Sequence, residues 1–290
     1  MKEGKYKNPK NEIDISPKIA NIIVTYVPEG QVEYVPVRST INQEHHEYYN
    51  ENKLETIKFT LACHSYYKAG VDYEIIIIDN NSKNKEYFEY LKSLQFQIYH
   101  RENIGFSFGA FRWAWEKFGD KYDYYLFNEQ DAVPAKDSWL LEILQRFLSD
   151  KEIGIVGNNI ETRTVSQSYC KDLLDIVPSL RDNMYNLDGF MNFTSSKVLK
   201  QVDKVGGLKV LPVEGDTNAE YNELLFQQPI LELGYKISAF NDGEHINYGG
   251  ISFLDPNPIF KDWSYNKLSP MVLGHTRLFA LKDYFNWYEN

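Results

Sequence analysis

The 290 residues carry 31 Lys and Arg against 41 Asp and Glu, a formal net charge of −10 with a pI near 5.2. That balance excludes a protein that grips nucleic acid through its phosphates or adheres to an anionic membrane, since both need clustered cationic side chains. With 43% hydrophobic residues the chain can bury a full α/β core, and it has no run of about 20 apolar residues with which to cross a bilayer.

Residues 1–17 are polar and read as a mobile leader, with no apolar signal segment behind the Lys-rich start. Cys63 and Cys170 are far apart and lack metal-ligand spacing, which fits reduced thiols in a soluble, cytoplasmic protein. Ala20–Val27 is dense in Ile and Val and reads as a buried strand that Pro28-Glu29-Gly30 stops. The long segment from Glu29 to Glu51 follows it. It holds a strand-like Val32-Glu33-Tyr34-Val35 and the solvent-facing run Glu44-His45-His46-Glu47, and its place beside a strand end makes it a candidate substrate-ordered lid. Leu54, Ile57 and Leu61 share one face of a helix expected over Asn52–Ala69, closed by Gly70.

Apolar strands and amphipathic helices then alternate. Strands are expected at Tyr73–Asp79, Phe96–Tyr99, Tyr122–Phe127 and Gly154–Gly157, with helices near Lys85–Leu94, Phe108–Phe118 and Ser138–Leu148. Continuous apolar strands alternating with helices predict a mostly parallel central sheet covered on both faces. Further on, Phe190–Phe193 is strand-like, and a helix near Asn222–Leu233 should be kinked or divided by Pro229.

Three of the strands end in groups able to bind a nucleotide, a sugar or a metal: Asp79-Asn80-Asn81-Ser82, Asn103-Ile104-Gly105-Phe106 and Asn128-Glu129-Gln130-Asp131. Ligands of open α/β sheets collect at strand carboxyl ends, so this succession predicts a site. The order and spacing of these motifs, with Trp139-Leu140 and Ile153-Gly154-Ile155-Val156-Gly157 beyond them, resemble the family-2 glycosyltransferases of GT-A fold across about half of the chain.

The resemblance implies an inverting transfer from a nucleotide-diphosphate sugar to a glycan or other hydroxyl-bearing acceptor, in glycan or polysaccharide synthesis. The donor half would span residues 18–158 and the acceptor half 159–290. A divalent cation, Mn²⁺ or Mg²⁺, would neutralise the departing pyrophosphate. Asp131 would hold it with Glu129, the longer acid standing where the family has the first Asp of Asp-x-Asp, and His245 would be third ligand with His275 as competitor. Asp79 would bind the nucleoside, with Thr25 and Tyr26 across the base and Asn103, Gly105 and Gln130 completing the donor site. After Gly109 the family continues with Asn, where this chain has Ala110-Phe111-Arg112. Counting back from Gly234-Tyr235-Lys236-Ile237 assigns the catalytic base to Glu223, with Asp216 and Glu220 in reserve and Asn222 in place of the family's first acid. Two other readings compete: a sugar- or partner-binding module that has lost catalysis, and a nucleotidyltransferase. Pro28-Glu29-Gly30-Gln31 lacks the basic character of the latter's triphosphate loop. No G-x-G-x-x-G follows the first strand, which disfavours a dehydrogenase.

Overall fold

The computed structural model describes residues 16–29, 52–163, 184–187, 191–212, 219–241 and 270–273. The leader up to residue 15, nearly all of the inserted segment, Cys170, Asp216, His245 and His275 lie outside the described residues.

In chain order the elements are β1 (Ile19–Thr25), α1 (Lys53–Tyr66), β2 (Glu74–Asp79), α2 (Lys85–Ser93), β3 (Gln97–His100), α3 (Phe106–Phe118), β4 (Tyr124–Glu129), β5 (Ala132–Pro134) and α4 (Trp139–Leu148). They continue with β6 (Ile153–Arg163), β7 (Met184–Leu187), β8 (Met191–Ser195), α5 (Ser196–Lys204), α6 (Ala219–Glu232), β9 (Lys236–Asn241) and β10 (Met271–Leu273). The main sheet has the order β3-β2-β1-β4-β8-β6-β7, with β9 also paired to β6. Strands β3, β2, β1 and β4 are parallel, and β8 runs antiparallel between β4 and β6. This is the GT-A-like sheet that the motifs imply.

Both faces of the parallel half are covered, which is why Ile76, Ile77 and Ile78 are consecutive and all fully buried. Ile23, Ile77, Ile57, Leu61, Tyr87 and Leu91 pack on the side of α1 and α2. On the other side Phe111 of α3 meets Phe127 of β4 at 5.1 Å, and Phe108 meets Phe226 of α6 at 5.2 Å. Cys63 is a buried free thiol. Among the described residues no helix is long and apolar enough to cross a membrane.

Several expected boundaries move, each for a physical reason. Strand β1 stops at Thr25 rather than Val27, because the next two amides are taken by side chains: Tyr26 N donates to Gln130 Oε1 at 2.7 Å and Val27 N to Ser82 Oγ at 2.8 Å. Strand β6 is eleven residues long rather than four, since it has β7, β8 and β9 as partners along its length. Pro229 does not divide α6. It stands in the last turn, where only one intrahelical donor is lost and its own carbonyl still accepts from Leu233 N at 3.2 Å. Helix α5, with Ser195 as its cap accepting from Val198 N, was not among the expected elements. Neither was the β5–β10 pair.

Where α1 meets α4, His64 lies edge-on to Trp139 at 5.1 Å, and Tyr73 lies edge-on to the same indole at 5.4 Å. Burial pushes the His64 pKa down from 6.5 to about 3, outweighing an opposing contribution from the Ala132 backbone. The folded value lies below the unfolded one, so protonation favours the unfolded chain. This contribution is complete above about pH 6.5 and declines as pH falls towards 3, by up to about 1.4 kcal/mol per pH unit. His64→Phe should therefore show a shallower loss of urea stability than wild type between about pH 6.5 and pH 4.5. Equal slopes in the two proteins would refute the buried neutral imidazole.

Candidate active site

Register places the site. Thr25 pairs with Asp79, Asp79 with His100, and Val24 with Glu129, so the carboxyl ends of β1 to β4 form one edge. The chain leaves β1 for β2 and β3 on one side and returns as β4 on the other, so the crevice between β1 and β4 is a topological switch point.

Backbone and side-chain hydrogen bonds tie these ends together. The backbone amide of Asn80 donates to Thr25 O at 2.8 Å, and that of Lys83 to Val27 O at 2.9 Å, while the Gln130 side chain holds Tyr26 from the β4 side. The Thr25 hydroxyl is bonded to the Tyr87 hydroxyl. Burial, then the Asp79 charge, pushes the Tyr87 pKa up, so the phenol stays protonated. Asp79 is buried, and both of its oxygens lie 3.2 Å from Ser82 N, with Oδ2 also 3.1 Å from Nδ1 of the exposed His100. Its carboxylate thus closes a turn and also presents itself beside an imidazole at the sheet edge. The ring of Tyr26 is half-buried, with the Lys53 ammonium 5.3 Å from its centroid.

The Asn103-Ile104-Gly105 motif is built around Arg101, which carried no motif signal beyond its position just after β3. Arg101 donates through Nη1 to Asn80 Oδ1 and through Nη2 to Ile104 O at 2.9 Å, and Asn80 Nδ2 donates to Phe106 O at 3.0 Å. Gly105 caps α3 at φ +73°, and a Cβ there would lie 2.5 Å from Val210 Cγ1. Gly109 is equally constrained, since a Cβ would sit 1.9 Å from Ile104 O. Asn103 keeps a buried Oδ1 that has no hydrogen-bond partner among the described residues. Ala110 is in the core, and Arg112 is engaged with Glu116 on the exposed face of α3.

Helix α6 reaches this region through Asn222, which is fully buried. Its Oδ1 accepts from Leu211 N at 2.7 Å, and its Nδ2 lies 3.3 Å from both Gly105 O and Leu211 O. An amide is needed because the position must donate and accept at once. A carboxylate would satisfy Leu211 N and face two carbonyls, which accounts for Asn where the family has an acid. Half-buried Glu223 follows directly, and Glu220 belongs to the first turn of α6.

At the tip of β4, Glu129 is half-buried and Asp131 is buried. Among the described residues no cluster of three or more His, Cys, Asp and Glu converges, and the acids that the end of β4 brings to this edge are these two. Hard oxygen ligands of this number suit Mg²⁺ or Mn²⁺, which take one or two protein carboxylates and fill the remaining positions with phosphate and water. The structure brings Thr25, Tyr26, Asp79, Gln130, Glu129 and Asp131 to one edge and Gly105 beside Asn222. Asn222→Asp should lower stability by about 2 kcal/mol through the two facing carbonyls. Urea unfolding of the variant measures it, and a wild-type midpoint would refute the bridge.

Among solved structures, the chain is similar to the mannosyltransferase PcManGT from Pyrobaculum calidifontis in complex with GDP-Man and Mn²⁺ (13% identity over 78% of this chain and 55% of that one, TM-score 0.43). It is also similar to S. aureus TarS 1–349 in complex with UDP-GlcNAc (12%, 72% and 53%, 0.39) and to CMP:2-keto-3-deoxy-manno-octonic acid synthetase complexed with CTP (11%, 77% and 89%, 0.43). The chain spans about half the length of the first two. No curated protein matches it in sequence. The model of glycosyl transferase family 2 matches residues 48–201, more than half of the chain, and the protein belongs to that family.

Proposed function

We propose that the protein is an inverting glycosyltransferase that moves a sugar from a nucleotide-diphosphate sugar to an acceptor hydroxyl, with a divalent cation, in glycan or polysaccharide synthesis. The observation that supports it most is the pairing of Asp79 and Glu129-Gln130-Asp131 across β1 at the switch point, bridged by Gln130 and Tyr26. Asp79 there accepts hydrogen bonds from the nucleoside, and Tyr26 offers a ring beside it. Asp131 and Glu129 hold the cation, whose charge stabilises the leaving diphosphate.

Glu223 takes the proton of the acceptor hydroxyl as that oxygen attacks the anomeric carbon from the side opposite the departing nucleotide, which inverts the configuration. The proton goes to the carboxylate, and the electron pair of the broken bond leaves on the diphosphate. His245 remains the proposed third ligand.

Nucleotide release from a panel of UDP- and GDP-sugars, with and without Mn²⁺, tests the reading, and release from none of them would overturn it. Asp131→Ala should remove most transfer and the Mn²⁺-dependent part of nucleotide affinity while the fold persists, with Glu129→Gln milder. Full activity of the Ala variant in chelator would reject the ligand assignment. Glu223→Gln should reduce turnover by roughly 10²-fold or more with donor binding little changed. If Asp216→Asn or Glu220→Gln gives that loss instead, the base is there.

A further inference from the structure

We propose that Thr60 of α1 is a positioning residue for the Asp131 carboxylate, holding the backbone immediately before it; the inference rests on the reading of Asp131 as a cation ligand. Thr60 Oγ1 donates to Gln130 O at 2.6 Å, in a fully buried contact.

The behaviour of neighbouring hydroxyls on α1 sets Thr60 apart. Thr56 Oγ1 and Ser65 Oγ turn back to the carbonyls of Asn52 and Leu61 in their own chain turn, each at 3.0 Å. That is the default for hydroxyls in helices. Thr60 instead reaches out of the helix to the turn that follows β4.

The same short segment is fixed from two further directions. The Gln130 side chain accepts from Tyr26 N, and Ala132 pairs with Leu273 of β10. Three elements distant in sequence therefore hold residues 130 to 132. Mg²⁺ and Mn²⁺ demand well-placed oxygen ligands, and loss of a group that orients a ligand lowers metal affinity by about 10-fold to 100-fold.

The test uses the full chain and Mn²⁺ titrated by electron paramagnetic resonance with UDP or GDP present. Thr60→Val keeps the shape and removes the donor, and should weaken Mn²⁺ binding by about 10-fold. Half-saturating Mn²⁺ for transfer should rise by a similar factor, with turnover at saturating Mn²⁺ and metal-free nucleotide binding close to wild type. Thr60→Ser restores the donor and should restore the affinity. Thr60→Ala removes the same donor with a smaller side chain, so the test survives a Val variant that does not fold. Unchanged Mn²⁺ affinity in the folded variants that lack the donor overturns the positioning role while the cation reading stands. So does a Ser variant as weak as Val, because shape would then matter and not the donor. A wild-type protein that binds no Mn²⁺ overturns the cation reading and the positioning role with it.

Discussion

Parallel pairing of β1 with β2 on one side and β4 on the other leaves β1 with a carboxyl end at which its neighbours diverge. Backbone groups there lose the ladder but remain buried, and a buried amide without a partner is costly. Side chains supply part of what the ladder no longer does. Gln130 takes the Tyr26 amide and Ser82 takes the Val27 amide, while the Thr25 and Val27 carbonyls accept from the backbone amides of Asn80 and Lys83. The polar residues that mark the site in the sequence are therefore first of all the residues that allow three strands to end together.

This dual use explains one departure from the family pattern on structural grounds. Asn222 replaces an acid because its amide stands between one donor and two carbonyls, tying α6 to the start of α3. Gly105 and Gly109 are fixed by close backbone approach, whatever else passes near the helix. Asp79 likewise closes its own turn and still lies beside His100 at the crevice edge, so the turn-forming and ligand-binding accounts of that carboxylate are compatible.

The parallel half was legible from the chain because its information is local. Apolar runs such as Ile75–Ile78, bounded by Asp79-Asn80, can only be buried strands with a polar exit, and Asp131 stands out for the same reason at the end of β4. Helix α2 starts directly after Asn84, whose side chain accepts from Tyr87 N. Long-range pairings left no such trace. The short β5 finds its partner β10 nearly 140 residues later in the chain, and neither is long enough to show a period. Arg101 and Thr60 were invisible for a related reason: a lone Arg after a strand and a Thr inside a helix have many ordinary roles. Only contacts to Asn80 and Gln130 single them out.

Glu129-Gln130-Asp131 shows how far the central position of such a motif is from being free. The two acids flank a side chain that is committed elsewhere. Gln130 is committed to β1 through its side chain and to α1 through its carbonyl. An apolar residue in its place would strand the Tyr26 amide, and a shorter amide such as Asn would have to draw β4 towards β1 to reach it. Beyond the last paired residues, Val24 and Glu129, the approach of the β1 and β4 ends is thus held by one glutamine, which makes this residue as much a part of the edge as the charged residues beside it.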